Sequence, residues 1–204
     1  MKQVHETPLS TLAFSASGNL LLACTEDGKA SLWAIDSEEA PIDLVGHTGL
    51  IRAVAILPED KLAATLGEDG TLRYWDLQTG NPGSIRSIPK DVNDACFSNS
   101  GAAWALAVPG DSILWCTPET GCGFRSKGSL PVISPDGDYY AAVALSGKEV
   151  ELRTKEGHLC KKFEIGEGLE PITCLAFDRS GRFLSAGTKD GKLLLWRNDR
   201  LKLE

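Results

Sequence analysis

The chain has 204 residues and carries 21 Lys+Arg against 28 Asp+Glu, a net charge of −7. That length buries a real core in one large domain or two small ones, and 42% apolar with 24% charged residues is a globular composition, which excludes a disordered chain. The acidic balance argues against a general nucleic-acid or acidic-membrane binder, since either needs a cationic face.

The six cysteines (Cys24, Cys96, Cys116, Cys122, Cys160 and Cys174) are scattered, with no C-x-x-C pair, and there are only three histidines. Neither a disulfide framework nor a Cys/His zinc cluster fits, so the expectation is reduced thiols used as small buried apolar residues, and no cofactor. The N-terminal MKQVHETPLS has an acid and a histidine where a signal peptide needs an apolar stretch. Residues 8–25 are uncharged, but Ser, Thr, Asn and Gly interrupt them too often for a membrane span. A soluble, cytoplasmic protein is expected.

In chain order, the first elements are an alternating segment over Ser10–Phe14, a Ser/Gly turn, and an apolar run over Leu20–Cys24. An Asp27-Gly28 hairpin turn and a strand ending at Trp33 follow, Asp-Gly supplying the positive φ that a tight hairpin needs. The pattern then recurs. DGKASLW (27–33), DGTLRYW (69–75), PGDSILW (109–115), SGKEVEL (146–152) and DGKLLLW (190–196) put an anchor at Trp33, Trp75, Trp115, Leu152 and Trp196. Phe14, Ile56, Phe97, Ile133 and Phe177 each precede that anchor by 19 residues, except in the third repeat, where the interval is 18. A weaker last strand follows each anchor, such as Ser84–Ile88. Runs apolar on both faces, such as Leu20–Ala23, mark sheets covered on both sides. The reading is all-β: five units of four short antiparallel strands, over 4–45, 46–88, 89–126, 127–164 and 165–204, forming one domain over 1–204.

The repeat resembles that of the WD-repeat β-propeller family across essentially the whole chain. Its fullest form is the second, with Gly46-His47, Asp69-Gly70 and Trp75-Asp76. The resemblance implies a propeller of about five blades, or a portion of a larger ring, usually seven-bladed in this family. Met1–Val4 could complete a blade with a strand at Leu201–Glu204. If the ring stays open, sheet faces of blades one and five are exposed and invite association with another copy.

His47, Thr65, Asp69 and Trp75 hold the ingredients of a nucleophilic triad, but the resemblance implies a structural hydrogen-bond network instead. His5, Asp27 and Trp33 repeat the intervals with Ala23 in place of the hydroxyl, and Asp190 and Trp196 do so with Gly168 and Ala186. Repeats three and four lose almost all of it, which predicts that those blades are the least rigid.

The resemblance also implies that each blade's first strand lines the central axis, with a polar start at Ser10, Arg52, Asn93, Ser129 and Thr173. Glu26, Glu68, Asp91, Lys127 and Lys189 are expected on the same face. The charges are mixed, which suits a protein or peptide partner rather than a polyanion or membrane. The function expected is a non-catalytic interaction scaffold, with no catalytic, cofactor or metal residues. The alternatives are a propeller hydrolase or lactonase, which needs converging acids or metal ligands where the inner strands offer only Asp94, and a propeller fragment that associates with further blades.

Overall fold

The computed structural model describes residues 7–98, 103–117 and 121–197. Met1–Val4, His5 and Leu201–Glu204, to which the sequence assigns a completing strand pair and a network histidine, lie outside the described residues.

Sheet one comprises β1 (Leu9–Phe14), β2 (Leu20–Thr25), β3 (Ala30–Ala34) and β4 (Ile42–Leu44). Sheet two comprises β5 (Ile51–Ile56), β6 (Leu62–Gly67), β7 (Thr71–Asp76) and β8 (Pro82–Ser87). Sheet three comprises β9 (Asp94–Phe97), β10 (Trp104–Val108), β11 (Ser112–Thr117) and β12 (Gly121–Lys127). Sheet four comprises β13 (Ser129–Ile133), β14 (Tyr139–Val143), β15 (Glu149–Thr154) and β16 (Leu159–Glu164). Sheet five comprises β17 (Ile172–Phe177), β18 (Phe183–Thr188) and β19 (Leu193–Arg197). Each is an antiparallel meander in chain order, and the only described helix is the short 3-10 turn Pro58–Asp60. The last strand of repeat two starts two residues before the predicted Ser84, at Pro82. The sequence reading ends the third repeat at 126, whereas β12 runs to Lys127, which therefore belongs to sheet three.

Contacts divide the chain into two compact units, Met1–Val92 and Asn93–Glu204. In unit one, Leu22, Cys24, Ala30 and Leu32 of sheet one pack against Ile51, Ile56, Ala63 and Trp75 of sheet two. In unit two, Ala105, Ile113 and Trp115 of sheet three meet Ile133, Tyr140 and Ala142 of sheet four. The opposite face of sheet four, with Val150 and Leu152, meets Ile172, Leu184 and Ala186 of sheet five. Sheet four, covered in this way on both faces, buries both alternating sets of side chains, as Tyr140–Val143 of β14 show.

This packing corrects two of the five anchors. Trp75 lies opposite Ala63, which lies opposite Ile56, and Trp33 and Trp196 are in the same way aligned with Phe14 and Phe177. In sheet three the residue aligned with Phe97 through Trp104 is Cys116, one place after Trp115. In sheet four Ile133 aligns through Tyr140 with Arg153, one place after Leu152. Successive strand residues point to opposite faces, so a one-residue offset turns Trp115 and Leu152 toward the following sheet. The 18-residue interval in repeat three is the trace of that offset. In repeat four the hairpin between Ala144 and Glu149 has one residue more than that between Gly67 and Thr71.

The cysteine expectation is corrected as well. Cys24 is buried as read, whereas Cys96 and Cys160 are half-buried; desolvation pushes the Cys24 and Cys96 thiols up to about 12. Cys116 and Cys122, however, face each other across β11 and β12 and form a disulfide, and Cys174 is exposed.

Candidate functional site

The polar center of unit one is built by β6, β7 and the segment that enters β5. His47 Nδ1 lies 2.9 Å from Asp69 Oδ2 and its Nε2 lies 2.7 Å from Thr65 Oγ1. Trp75 Nε1 donates to the same hydroxyl at 2.7 Å. An indole can only donate, so Thr65 accepts from it and donates its own O–H to His47 Nε2. The imidazole is then neutral, with its proton on Nδ1 directed at Asp69. Within this set, the indole N–H, the hydroxyl, both imidazole nitrogens and the carboxylate oxygen that faces them are thereby paired. The histidine lone pair and the threonine proton are consumed by each other, which leaves no free base or nucleophile in the set.

Three further residues support it, and the sequence reading missed all three. Thr71 donates its hydroxyl to Asp69 Oδ1 at 2.6 Å, and Arg73 donates to Thr71 at 3.1 Å while its Nη2 stands 3.6 Å from Asp69. Gly67 makes room: a Cβ there would lie 2.5 Å from His47 Nδ1. The alternation Gly67, Asp69, Thr71, Arg73 around the turn was a usable signal, because these positions share a face with Thr65 and Trp75.

Burial pushes the His47 imidazole below its ordinary value, against the pull of Asp69. Burial works against the Asp69 charge too, but hydrogen bonds from Thr71, His47 and the Thr48 N–H outweigh it and hold the carboxyl low. Both folded values lie below the unfolded ones, so the unfolded state takes up protons first as pH falls. The stability contributed above the ordinary histidine value of 6.5 is lost as pH drops toward the folded value, and Asp69 adds a second loss below 3.8. Thermal melts of the wild type are expected to fall between about pH 7 and pH 5, and His47→Gln to lie lower but flatter over that window. Parallel wild-type and variant curves would refute the assignment.

The other network residues sit elsewhere. Asp27 and Asp190 are exposed and accept hydrogen bonds from Thr25 and Thr188 two residues earlier. Ser134 serves Asp136 in the same way. Ser/Thr-x-Asp-Gly is the sequence signal for this self-contained turn. Trp33 is half-buried and its indole N–H has no hydrogen-bond partner among the described residues, while Trp196 stacks on Phe163 at 5.4 Å. Asp76 caps the turn into β8, accepting from Gln78 N at 3.0 Å and Thr79 N at 2.9 Å.

The candidate partner-facing residues lie at strand starts and in the preceding loops. Glu26, Glu68, Asp91, Asn93, Lys127, Ser129, Thr173 and Lys189 are exposed, and Ser10 and Arg52 are half-buried. In unit one, Glu26 is tied to the strand start by its N–H to Pro8 O, beside Ser10, and Arg52 pairs with Glu68. In unit two, the Lys189 N–H bonds Pro171 O, next to Thr173, whose hydroxyl donates to Gly187 O at 3.2 Å. Among the described residues no helix is long and apolar enough to cross a membrane.

The model of the WD domain, G-beta repeat, matches residues 2–34, 41–76 and 151–197, together more than half of the chain. Eukaryotic translation initiation factor 3 subunit I of Saccharomyces cerevisiae is 26% identical over 189 residues, covering 93% of this chain and 49% of its own. Nuclear distribution protein PAC1 of Arthroderma otae is 27% identical over 195 residues, covering 95% of this chain and 39% of its own. The chain thus spans half or less of these curated relatives. The β-propeller domain of Cps50 (Swd1) from Myceliophteria thermophila superposes with a TM-score of 0.79 at 17% identity, over 98% of this chain and 69% of that one, a likeness of fold. The matched repeats, the five antiparallel sheets and the propeller neighbor agree: the chain belongs to the WD-repeat β-propeller family.

Proposed function

We propose that the chain is a non-catalytic scaffold whose strand-start rims bind protein or peptide partners, within one repeat domain and in the cytoplasm. The observation that carries this reading is the accessibility of the rim: all ten candidate residues reach solvent, and six of them carry charge of both signs, Glu26, Glu68 and Asp91 against Arg52, Lys127 and Lys189. Mixed charge of this kind sets partner register and on-rate more than bulk affinity. The hydroxyl, imidazole and carboxylate that would serve catalysis are instead bonded to one another inside unit one. One relative is named as a subunit of an initiation factor, a protein that works within an assembly.

The test is affinity capture with quantitative mass spectrometry, comparing the wild type with Arg52→Glu and Lys189→Glu. Rim partners are expected to fall about tenfold with a single reversed charge, consistent with about 1.4 kcal/mol of lost complementarity. Lys155→Glu, in the loop between β15 and β16, serves as the control and should leave them unchanged. Equal capture by all four proteins would overturn the reading.

A further inference from the structure

The fourth strands of the sheets are secured in different ways. β4 and β16 each bury a large side chain, Leu44 and Phe163, and β8 follows the turn that Asp76 caps. β12 buries none of its described side chains: Cys122, Arg125, Ser126 and Lys127 are exposed or half-buried. Within sheet three it pairs with β11 alone, and a bulge interrupts that ladder, Trp115 pairing with Phe124 but Cys116 with Cys122. The disulfide stands at this interruption. A strand with so little burial belongs to the part of a fold that opens locally, so the covalent bond is what holds this end of β12 closed.

The two sulfurs differ in access. Cys116 lies fully buried in β11, whereas Cys122 is exposed, which confines attack by an outside thiolate to Cys122. Attack from within the chain is suppressed. Cys24 and Cys96, with thiols pushed up to about 12, keep their protons, and only a thiolate displaces a disulfide sulfur. Cys96 also aligns with Ala105 and Trp115, so it faces away from Cys116. Cys160 and Cys174 belong to sheets four and five.

We propose that Cys116–Cys122 is a reversible thiol–disulfide switch, worked by small-molecule thiols of the glutathione class at Cys122, that locks or releases β12. A thiolate attacks the Cys122 Sγ, the S–S bond breaks, and Cys116 leaves as a thiolate that takes up a proton. A second thiolate attacks the small-molecule sulfur of the mixed disulfide, freeing Cys122 as a thiol. Two small thiols are oxidized to their disulfide, and the protein gains two electrons and two protons. The sequence separation is only six, so the bond restrains a short loop and its effect stays within the strand it closes. The exchanging sulfurs lie at the opposite end of β12 from Lys127, so the switch does not depend on the partner-binding reading.

The test holds the full chain in mixtures of reduced and oxidized glutathione, blocks free thiols with iodoacetamide and reads each cysteine by peptide mass spectrometry. Cys116 and Cys122 should become alkylatable together as the reduced form is raised, and close again on return to the oxidized form, with unit two folded throughout. On opening, β12 amides should lose protection by about tenfold or more, while those of Trp104–Val108 and Tyr139–Val143 keep theirs. Cys116→Ala should trap glutathione on Cys122, and Cys122→Ala should leave Cys116 without it. If either variant misfolds, the wild-type titration and exchange decide alone. A pair that stays oxidized under excess reduced glutathione until unit two unfolds overturns the proposal, because the bond is then purely structural. So does a pair that never closes, glutathione found on Cys116, or β12 protection that is unchanged on opening.

Discussion

Thr65→Val is expected to destabilize unit one by about 2–4 kcal/mol, although valine matches threonine in shape and the site is fully buried. The substitution removes one oxygen and strands two groups: the Trp75 indole N–H and the bare Nε2 of His47, both bonded to that oxygen at 2.7 Å. Each unsatisfied buried group costs about 1–3 kcal/mol, whereas Thr65→Ser keeps the hydroxyl and should cost less than about 1.5 kcal/mol. Adding Trp75→Phe to Thr65→Val removes one of the stranded donors. The double variant should therefore lose less than the sum of the two singles, by about 1 kcal/mol. Urea unfolding of the wild type and these four variants, followed by exchange protection of β6 and β7 amides, provides the measurement. Strict additivity, or a loss below 1 kcal/mol for Thr65→Val, would show that the hydroxyl is not the junction of the network.

The repeat, the antiparallel sheets and the spacing of His47, Thr65, Asp69 and Trp75 were legible in the sequence because each rests on a strong local signal. Asp-Gly sets a hairpin, and the apolar runs mark sheets buried on both sides. The facing of Trp115 and Leu152 was not legible by the same means. Residue type makes a tryptophan look like an anchor, but the face it occupies depends on parity counted from the turn, and parity changes with one inserted or deleted residue. Counting 19 residues from Phe97 leads to Cys116, so the interval was a better guide than the tryptophan. In repeat four the longer hairpin defeats the interval also. There Arg153 takes the anchor place, bonded to Glu151 at 2.6 Å and to Gly157 O at 2.9 Å. The Cys116–Cys122 disulfide was hidden for a related reason. A separation of six residues has meaning only once β11 and β12 place the two opposite one another. At the site itself, the sequence named the four bonded residues but not Gly67, Thr71 and Arg73, whose contribution depends on a turn bringing them back onto the imidazole.

The parity shift has an energetic consequence that separates the two possible facings of Trp115. The side chain is buried between sheets three and four, with its ring centroid 5.2 Å from that of Tyr140, among Ile133, Ala105 and Ala142. Trp115→Ala is accordingly expected to cost unit two about 3–5 kcal/mol, the range for truncating a buried large aromatic residue. Tilted aromatic pairs at this distance contribute about 0.5–1.5 kcal/mol beyond the area they bury, so a cycle with Tyr140→Leu should give a coupling energy of that size. Phe97 lies on the opposite face of sheet three, aligned with Trp104 and Cys116, and Phe97→Leu should combine additively with Trp115→Ala. Were Trp115 an anchor like Trp75, the two results would be exchanged. The loss would couple to Phe97, and Tyr140 would be indifferent to it. Unfolding free energies for the three single and two double variants decide between these facings. Coupling to Phe97 in place of Tyr140 would return Trp115 to the anchor row and remove the one-residue shift from sheet three.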